Sequence, residues 1–282
     1  SSDQPFEIHV IGTPSEESLD GGKNEMAAHG GFDHIDVAFM VHGSTLTQLE
    51  TPSLALIEMD VEFHGKTAHA GIAPYAGRSA VDAVTMLQTG LGLMRNHLKD
   101  SSRVSNIVLA GGTAVNSVPD FAKVKVEIRH SSMAYLESVE QWTREIAQAA
   151  AMATQTQVQI TPVAHIYNTT INDAMGALLM ECAEKFACDG IAPPRKDCGS
   201  TDFGAVTHRL PSCCLRVKTI ETDDPPHTDA WVKTGKEARA HQGIYDGAVC
   251  CAAAVRQPEC QDQGRCSDCH AVCECAGAGL SD

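Results

Sequence analysis

The chain has 282 residues, 43% of them hydrophobic, and a formal net charge of −15 at pH 7. That length and apolar content suffice for one large or two ordinary packed domains and exclude a disordered chain. The acidic balance argues against nucleic-acid or anionic-membrane partners, which want a basic face, and no apolar run reaches the roughly 18 residues of a membrane span. No basic-then-apolar leader precedes the first apolar run, and a cytoplasmic, soluble protein is expected.

In chain order, the first apolar run is Phe6–Ile11, read as a strand and followed by Gly12-Thr13-Pro14-Ser15-Glu16-Glu17. Gly and Pro turn the backbone there, so two adjacent carboxylates would project into a crevice at a strand's carboxyl end. Adjacent glutamates after a strand are also common as a plain solvated helix start. A second strand, Val37–Val41, ends on His42. Glu17 and His42 together suggest two ligands of one metal site.

Further strands are expected at Ala55–Phe63, Asn106–Ala110, Ala122–Arg129, Val158–Ala164 and Cys214–Lys218. Helical spacing of apolar residues predicts helices over Arg78–Leu98 and Tyr135–Thr154, and two more over Asp173–Phe186 and Ala238–Val255. The order β-α-β-β-α-β from Ala55 to about Ile166 is that of a ferredoxin-like unit. It is bracketed by α/β sequence, so the expected fold is an α/β catalytic domain with an inserted α+β domain. The expected boundaries are residues 1–50 and 168–255 for the two parts of the parent and 51–167 for the insert. Residues 256–282, with Cys260, Cys266, Cys269, Cys273 and Cys275, match no regular zinc spacing and are expected to be disordered. The other cysteines sit in apolar patterns and read as inert, buried thiols.

Within the insert, Gly65, Ala68, Ala70 and Gly71 clear space around His69, which could then reach an oxyanion; the plain alternative is a surface histidine beside a helix cap. The Gly-rich turn Gly111-Gly112-Thr113-Ala114-Val115-Asn116 places an amide, and Arg129 ends a strand on a guanidinium able to clamp a carboxylate.

These strings, in this order, resemble the aminoacylase and carboxypeptidase-like family of two-metal peptidases, most closely its amidohydrolase and dipeptidase branch, which includes the auxin-conjugate hydrolases. The resemblance spans residues 6–255. It implies an α/β metallopeptidase fold with an inserted lid that dimerises, and cleavage of the amide bond of N-acyl amino acids or dipeptides. By the match, Glu16 is the general base, and Glu17, His42 and His227 in Pro226-His227-Thr228-Asp229 are metal ligands. His69 is the lid histidine that reaches a partner's site, and Asn116 and Arg129 bind substrate. Asp202, in Gly199-Ser200-Thr201-Asp202, lies in the loop beside the site. The cofactor implied is Zn²⁺, one or two ions, with Mn²⁺ or Co²⁺ as substitutes. The partners implied are a small substrate with a free carboxylate and a second copy of the chain. Family members carry an earlier segment with the remaining ligands, so a truncated chain with an incomplete catalytic domain is expected. A truncated, inactive homologue that binds carboxylates or dimerises is the alternative.

Overall fold

A computed structural model describes residues 6–17, 21–186, 189–196, 199–222, 224 and 226–257. Cys188, Cys198 and the cysteine-rich tail lie outside them. In chain order the elements are α1 (Gly22–Ala28), β1 (Ala38–Ser44), β2 (Gln48–Leu49), β3 (Ala55–His64), α2 (Ala80–Met94), β4 (Arg103–Ala110), β5 (Phe121–His130), α3 (Met133–Thr154) and β6 (Gln157–Ile166). They continue with α4 (Asp173–Phe186), α5 (Gly204–Thr207), β7 (Ser212–Lys218), α6 (Asp229–Thr234) and α7 (Ala238–Val255). The described residues form two compact units, one from 6–16, 22–53 and 169–257, the other from 54–168 with 17 and 21.

In the second unit, four antiparallel strands lie in the order β4-β5-β3-β6 with α2 and α3 on one face, the arrangement expected of β-α-β-β-α-β. Strand alternation makes the faces unlike. Ile57, Met59, Val61 and Phe63 of β3 and Val124, Val126 and Ile128 of β5 are buried with Leu87 and Leu91 of α2 and Leu136 and Val139 of α3. The opposite face carries Glu58, Asp60 and Glu62, matched by Lys123 and Lys125 at 2.7–3.0 Å. Ser79 caps α2 by accepting the Asp82 N–H, and Ser132 caps α3 by accepting that of Tyr135, as serine does at helix starts. The helix expected to run to Leu98 closes at Met94 into a 3-10 turn, Arg95–His97. The two sheet edges differ. β4 exposes Ile107, Val108 and Leu109, whereas β6 carries Pro162, and the β3–β6 register slips between Glu58 and Met59.

In the first unit β1 pairs in parallel with β7, and β2 antiparallel with the other side of β7. Met175, Leu179 and Cys182 of α4, Cys213, Leu215 and Val217 of β7 and Cys250 and Ala254 of α7 pack as one core. Cys182, Cys213, Cys214, Cys250 and Cys251 are free thiols, the first four buried. Burial pushes Cys250 up to about 11 and Cys251 up to about 12, with neighbouring thiols adding to the shift. Both are held protonated at neutral pH, and Cys251, expected to be buried, is half-exposed.

Two expectations about the first unit need correction. Phe6–Ile11 is not a strand. Phe6, Ile8 and Val10 are exposed, Val10 almost fully, and an extended segment becomes a strand only by pairing, which it finds with none of the described residues. It runs instead along a cavity of about 950 Å³ shared with Phe39, Val41 and Cys251. β1, for its part, does not stop at His42 but continues to Ser44, because its pairing with β7 runs to Lys218.

Candidate functional site

His42 has the most unusual surroundings in the first unit. In the parallel ladder it lies opposite Arg216 of β7. The ring Nδ1 is 2.6 Å from the carbonyl oxygen of Gly43 and 3.0 Å from Nη1 of Arg216. Nε of Arg216 donates to the carboxylate of Glu50, which is 4% exposed, and Arg195 lies 3.5 Å from the same carboxylate. Burial lowers the pKa of His42, and the Arg216 charge lowers it further. The Gly43 carbonyl and the charges of Glu16 and Glu50 oppose that shift. His42 is therefore a neutral imidazole at neutral pH, and Glu16 is close enough for its charge to act on the ring.

Glu16 and Glu17 sit in a turn after Pro14. The turn's far end is tied down closely. A Cβ on Gly22, the first residue of α1, would lie 2.0 Å from the Pro14 carbonyl oxygen, so only glycine allows the approach. The next residue, Lys23, gives its backbone N–H to Asp202 Oδ2 at 3.0 Å and its ammonium to Oδ1 at 2.6 Å. Asp202 is 1% exposed and caps α1 while neutralising a lysine that the helix dipole disfavours at that end.

His227 is exposed, in the left-handed region at φ 65°, just before α6. Among the described residues no three histidine, cysteine, aspartate or glutamate side chains come together as a metal-holding group. Glu17, His42 and His227 are thus not gathered into a ligand set. The guanidinium against His42 also places a cation where a second cation is unwelcome. Among the described residues no complete ligand set for a metal ion is gathered.

The second unit does bring two predicted residues together. His69 forms an antiparallel bridge with Ser117. Ala70 N–H donates to the Asn116 carbonyl at 2.9 Å, and Val118 N–H to that of Ala68 at 2.8 Å. Below them the strand-like pair Lys66 and Arg78 closes the loop, and a Cβ on Gly65 would lie 2.0 Å from the Arg78 carbonyl oxygen. Gly71 N–H donates to His69 Nδ1 at 3.2 Å. In the neutral ring this leaves the proton on Nε2, a donor presented to solvent. Ile72, Tyr75 and Val115, all strongly exposed, belong to the same two loops.

Arg129 is elsewhere. The His69 and Asn116 loops join β5 at its Phe121 end, where Gly65 N–H meets the Asp120 carbonyl, and Arg129 is at its His130 end. That length of strand spans about 30 Å, so one small substrate cannot touch both from the same chain. The Arg129 guanidinium is also engaged, with Nε 2.7 Å and Nη2 3.0 Å from the two Glu127 oxygens.

Sequence reasoning missed Arg216, Glu50, Arg195 and Lys23. A signal was available for two of them: Arg216 interrupts a buried strand pattern, and Lys23 stands at a helix start, where an ammonium needs a partner.

A family model described as a peptidase dimerisation domain matches residues 55–155. The Xaa-Arg dipeptidase of Mus musculus is 32% identical over 233 residues, 81% of this chain and 54% of that protein. A p-aminobenzoyl-glutamate hydrolase chain of Escherichia coli is 32% identical over 174 residues, 60% of this chain and 36% of that protein. A Bacillus subtilis structure described as a dinuclear metal-binding peptidase superposes with a TM-score of 0.60 at 16% identity, over 86% of this chain and 63% of that one. The chain spans about half or less of the length of these curated relatives. Matched over residues 55–155 by a peptidase dimerisation domain and along most of its length by a dipeptidase, the chain is a homologue of the M20 amidohydrolases and dipeptidases.

Proposed function

We propose that the chain serves the hydrolysis of the amide bond in a small substrate with a free carboxylate, an N-acyl amino acid or a dipeptide. The observation that carries this reading is the His69 loop: an exposed imidazole whose Nδ1 accepts from Gly71 N–H, braced against the Asn116 turn, in a peptidase dimerisation domain. Such a donor suits the oxyanion of a tetrahedral intermediate. Glu16 takes the proton of the attacking water and returns it to the leaving amine. Asn116 contacts the substrate beside His69. Arg129 can take a carboxylate only by giving up Glu127. Of the metal donors expected from the resemblance, His42 is the one whose neutral, buried ring suits the role.

The test is release of free amino acid from N-acyl amino acids, Xaa-Arg dipeptides and aminobenzoyl-glutamate, with Zn²⁺ or Co²⁺ supplied. Turnover of at least one is expected, with His69→Ala lowering it by about 10²–10³-fold. A second reading, a carboxylate-binding or dimerising module without turnover, is favoured by one observation: the absence of three converging metal donors among the described residues. Carboxylate binding without hydrolysis of any of these substrates would select it.

The homodimer is assigned to the β4 edge. Among the described residues β4 pairs on one side, with β5, and its Ile107, Val108 and Leu109 are exposed. Unpaired backbone beside apolar side chains invites a second strand. Ile107→Lys together with Leu109→Lys should leave a folded monomer, its mass by light scattering half that of the parent.

A further inference from the structure

The two loops that carry His69 and Asn116 contain no formal charge. Residues 67–77 and 111–119 include no aspartate, glutamate, lysine or arginine, in a chain where those types make up 20%. The flanking charges, Lys66, Arg78 and Asp120, stand where the loops join the body of the unit, and the Arg78 guanidinium is taken up there by Gln155 and the Gly77 carbonyl. What the loops present to solvent is apolar: Val115 is fully exposed and Ile72 77% exposed. Apolar side chains scattered singly over a surface need no explanation, but these two are neither scattered nor loosely held. Ile72 and Ala73 both donate their N–H groups to the His69 carbonyl, at 3.2 and 3.0 Å, so Ile72 stands on the same turn as the imidazole. Ser117 N–H donates to the Ala114 carbonyl at 3.3 Å, which makes Val115 and Asn116 the two central residues of a turn. Thr67 Oγ1, 3.1 Å from Ser117 Oγ, donates to the Val118 carbonyl and ties one loop to the other.

We propose that Ile72 and Val115 set specificity: with His69 and Asn116 on the substrate, they cover an apolar group beside the amide, so that an aliphatic substituent is preferred to a charged one. The proposal rests on the hydrolase reading for the place of the amide beside His69. Ile72 shares the turn of the histidine and Val115 is the neighbour of the asparagine, so a group flanking the amide meets these side chains first. An aliphatic group covered by them leaves water, and so do the two side chains, which is favourable in proportion to the apolar area removed. A charged group would give up hydration at the same place and find no opposite charge on either loop in return. The discrimination thus has an attractive part, the two aliphatic side chains, and a repulsive part, the missing counter-charge.

Hydrolysis of N-acetylleucine, N-acetylglycine, N-acetylarginine and N-hexanoylglycine, with Zn²⁺ supplied, tests it in the parent and in variants of these two exposed residues. The parent should favour the leucine or the hexanoyl compound over both N-acetylglycine and N-acetylarginine, the one favoured telling on which side of the amide the apolar group lies. Ile72→Ser with Val115→Ser should lower kcat/KM for that compound relative to N-acetylglycine by about 10-fold, the lower end of what a methylene is worth to a discriminating site. Val115→Asp should lower the leucine-to-arginine ratio further than Val115→Ser does, a change that general loosening of the turn would not produce. An equal loss on all four substrates, unaltered ratios, or a parent that prefers N-acetylarginine overturns the proposal and leaves the hydrolase reading standing. Calorimetric binding of the same four compounds gives a readout without turnover. A parent that hydrolyses none of them but binds the apolar ones more tightly, with the preference lost in the double serine variant, overturns the hydrolase reading and upholds the contact. Binding of none, or binding blind to the substituent, in a protein without turnover overturns both.

Discussion

Replacing Glu16 by glutamine is expected to lower turnover by about 10²–10⁴-fold, the share usually contributed by a general base, while leaving the affinity for a substrate carboxylate within about twofold. The substitution keeps the side chain's size and one oxygen acceptor and removes only its capacity to take a proton. Because Glu16 is not placed against a substrate carboxylate in this reading, binding should not change. A second effect is local. The Glu16 charge opposes the lowering of the His42 pKa, so its loss should lower that pKa further, visible in an NMR titration of the ring. A loss in kcat with KM unchanged supports the hydrolase. Unaltered turnover would remove Glu16 from the mechanism, and a protein that binds carboxylates equally well with either side chain and turns over none is the non-catalytic module.

Asp202→Ala is expected to cost about 3–5 kcal/mol of stability, the range for stranding one member of a buried ion pair. Asp202 and the Lys23 side chain are 1% and 10% exposed, and their contact is 2.6 Å. The aspartate holds both the Lys23 ammonium and the Lys23 N–H in the first turn of α1, so its loss leaves a buried cation and an uncapped helix together. Solvent screening offers little relief at this depth. Urea denaturation measures the loss directly. Lys23→Met combined with Asp202→Leu should recover much of it, because an apolar pair of similar volume leaves no buried charge; a double variant as unstable as Asp202→Ala would refute the electrostatic account. The effect should also reach Glu16. Gly22 packs on the Pro14 carbonyl, two residues before that glutamate, so loosening α1 loosens the turn that carries it.

Much of the second unit was legible in the sequence because its elements follow simple periods. β5 alternates between core and charged face over ten residues and β3 over its second half, and α3 repeats its apolar positions over 22 residues. The connectivity then leaves few arrangements of four strands and two helices. The first unit was less legible. Phe6–Ile11 has the composition of a strand, but pairing is a property of neighbours, which composition does not carry. The short helices α1, α5 and α6 hold too few turns to show a period. At the site, motif spacing picked out His69 and Asn116, which two loops bring together from 47 positions apart. It could not show that Glu127 already holds Arg129, since i and i+2 on a strand share a face and both read as exposed charge. Nor could it bring Arg216 to His42, which depends on the register of a parallel pair separated by more than half the chain.

The unlike edges of the four-stranded sheet also bear on how large an assembly can grow. A sheet with two open edges can add copies at both ends and run on as a fibre. Here the β6 edge carries Pro162, which has no N–H to offer, where the ladder is already out of step. In the proposed homodimer growth would be confined to β4, and a second copy meeting it through a two-fold axis would use up the same edge on both chains. The eight-stranded sheet of that proposed pair would end in β6 on either side. Raising the protein concentration would fill this closed pair without lengthening it.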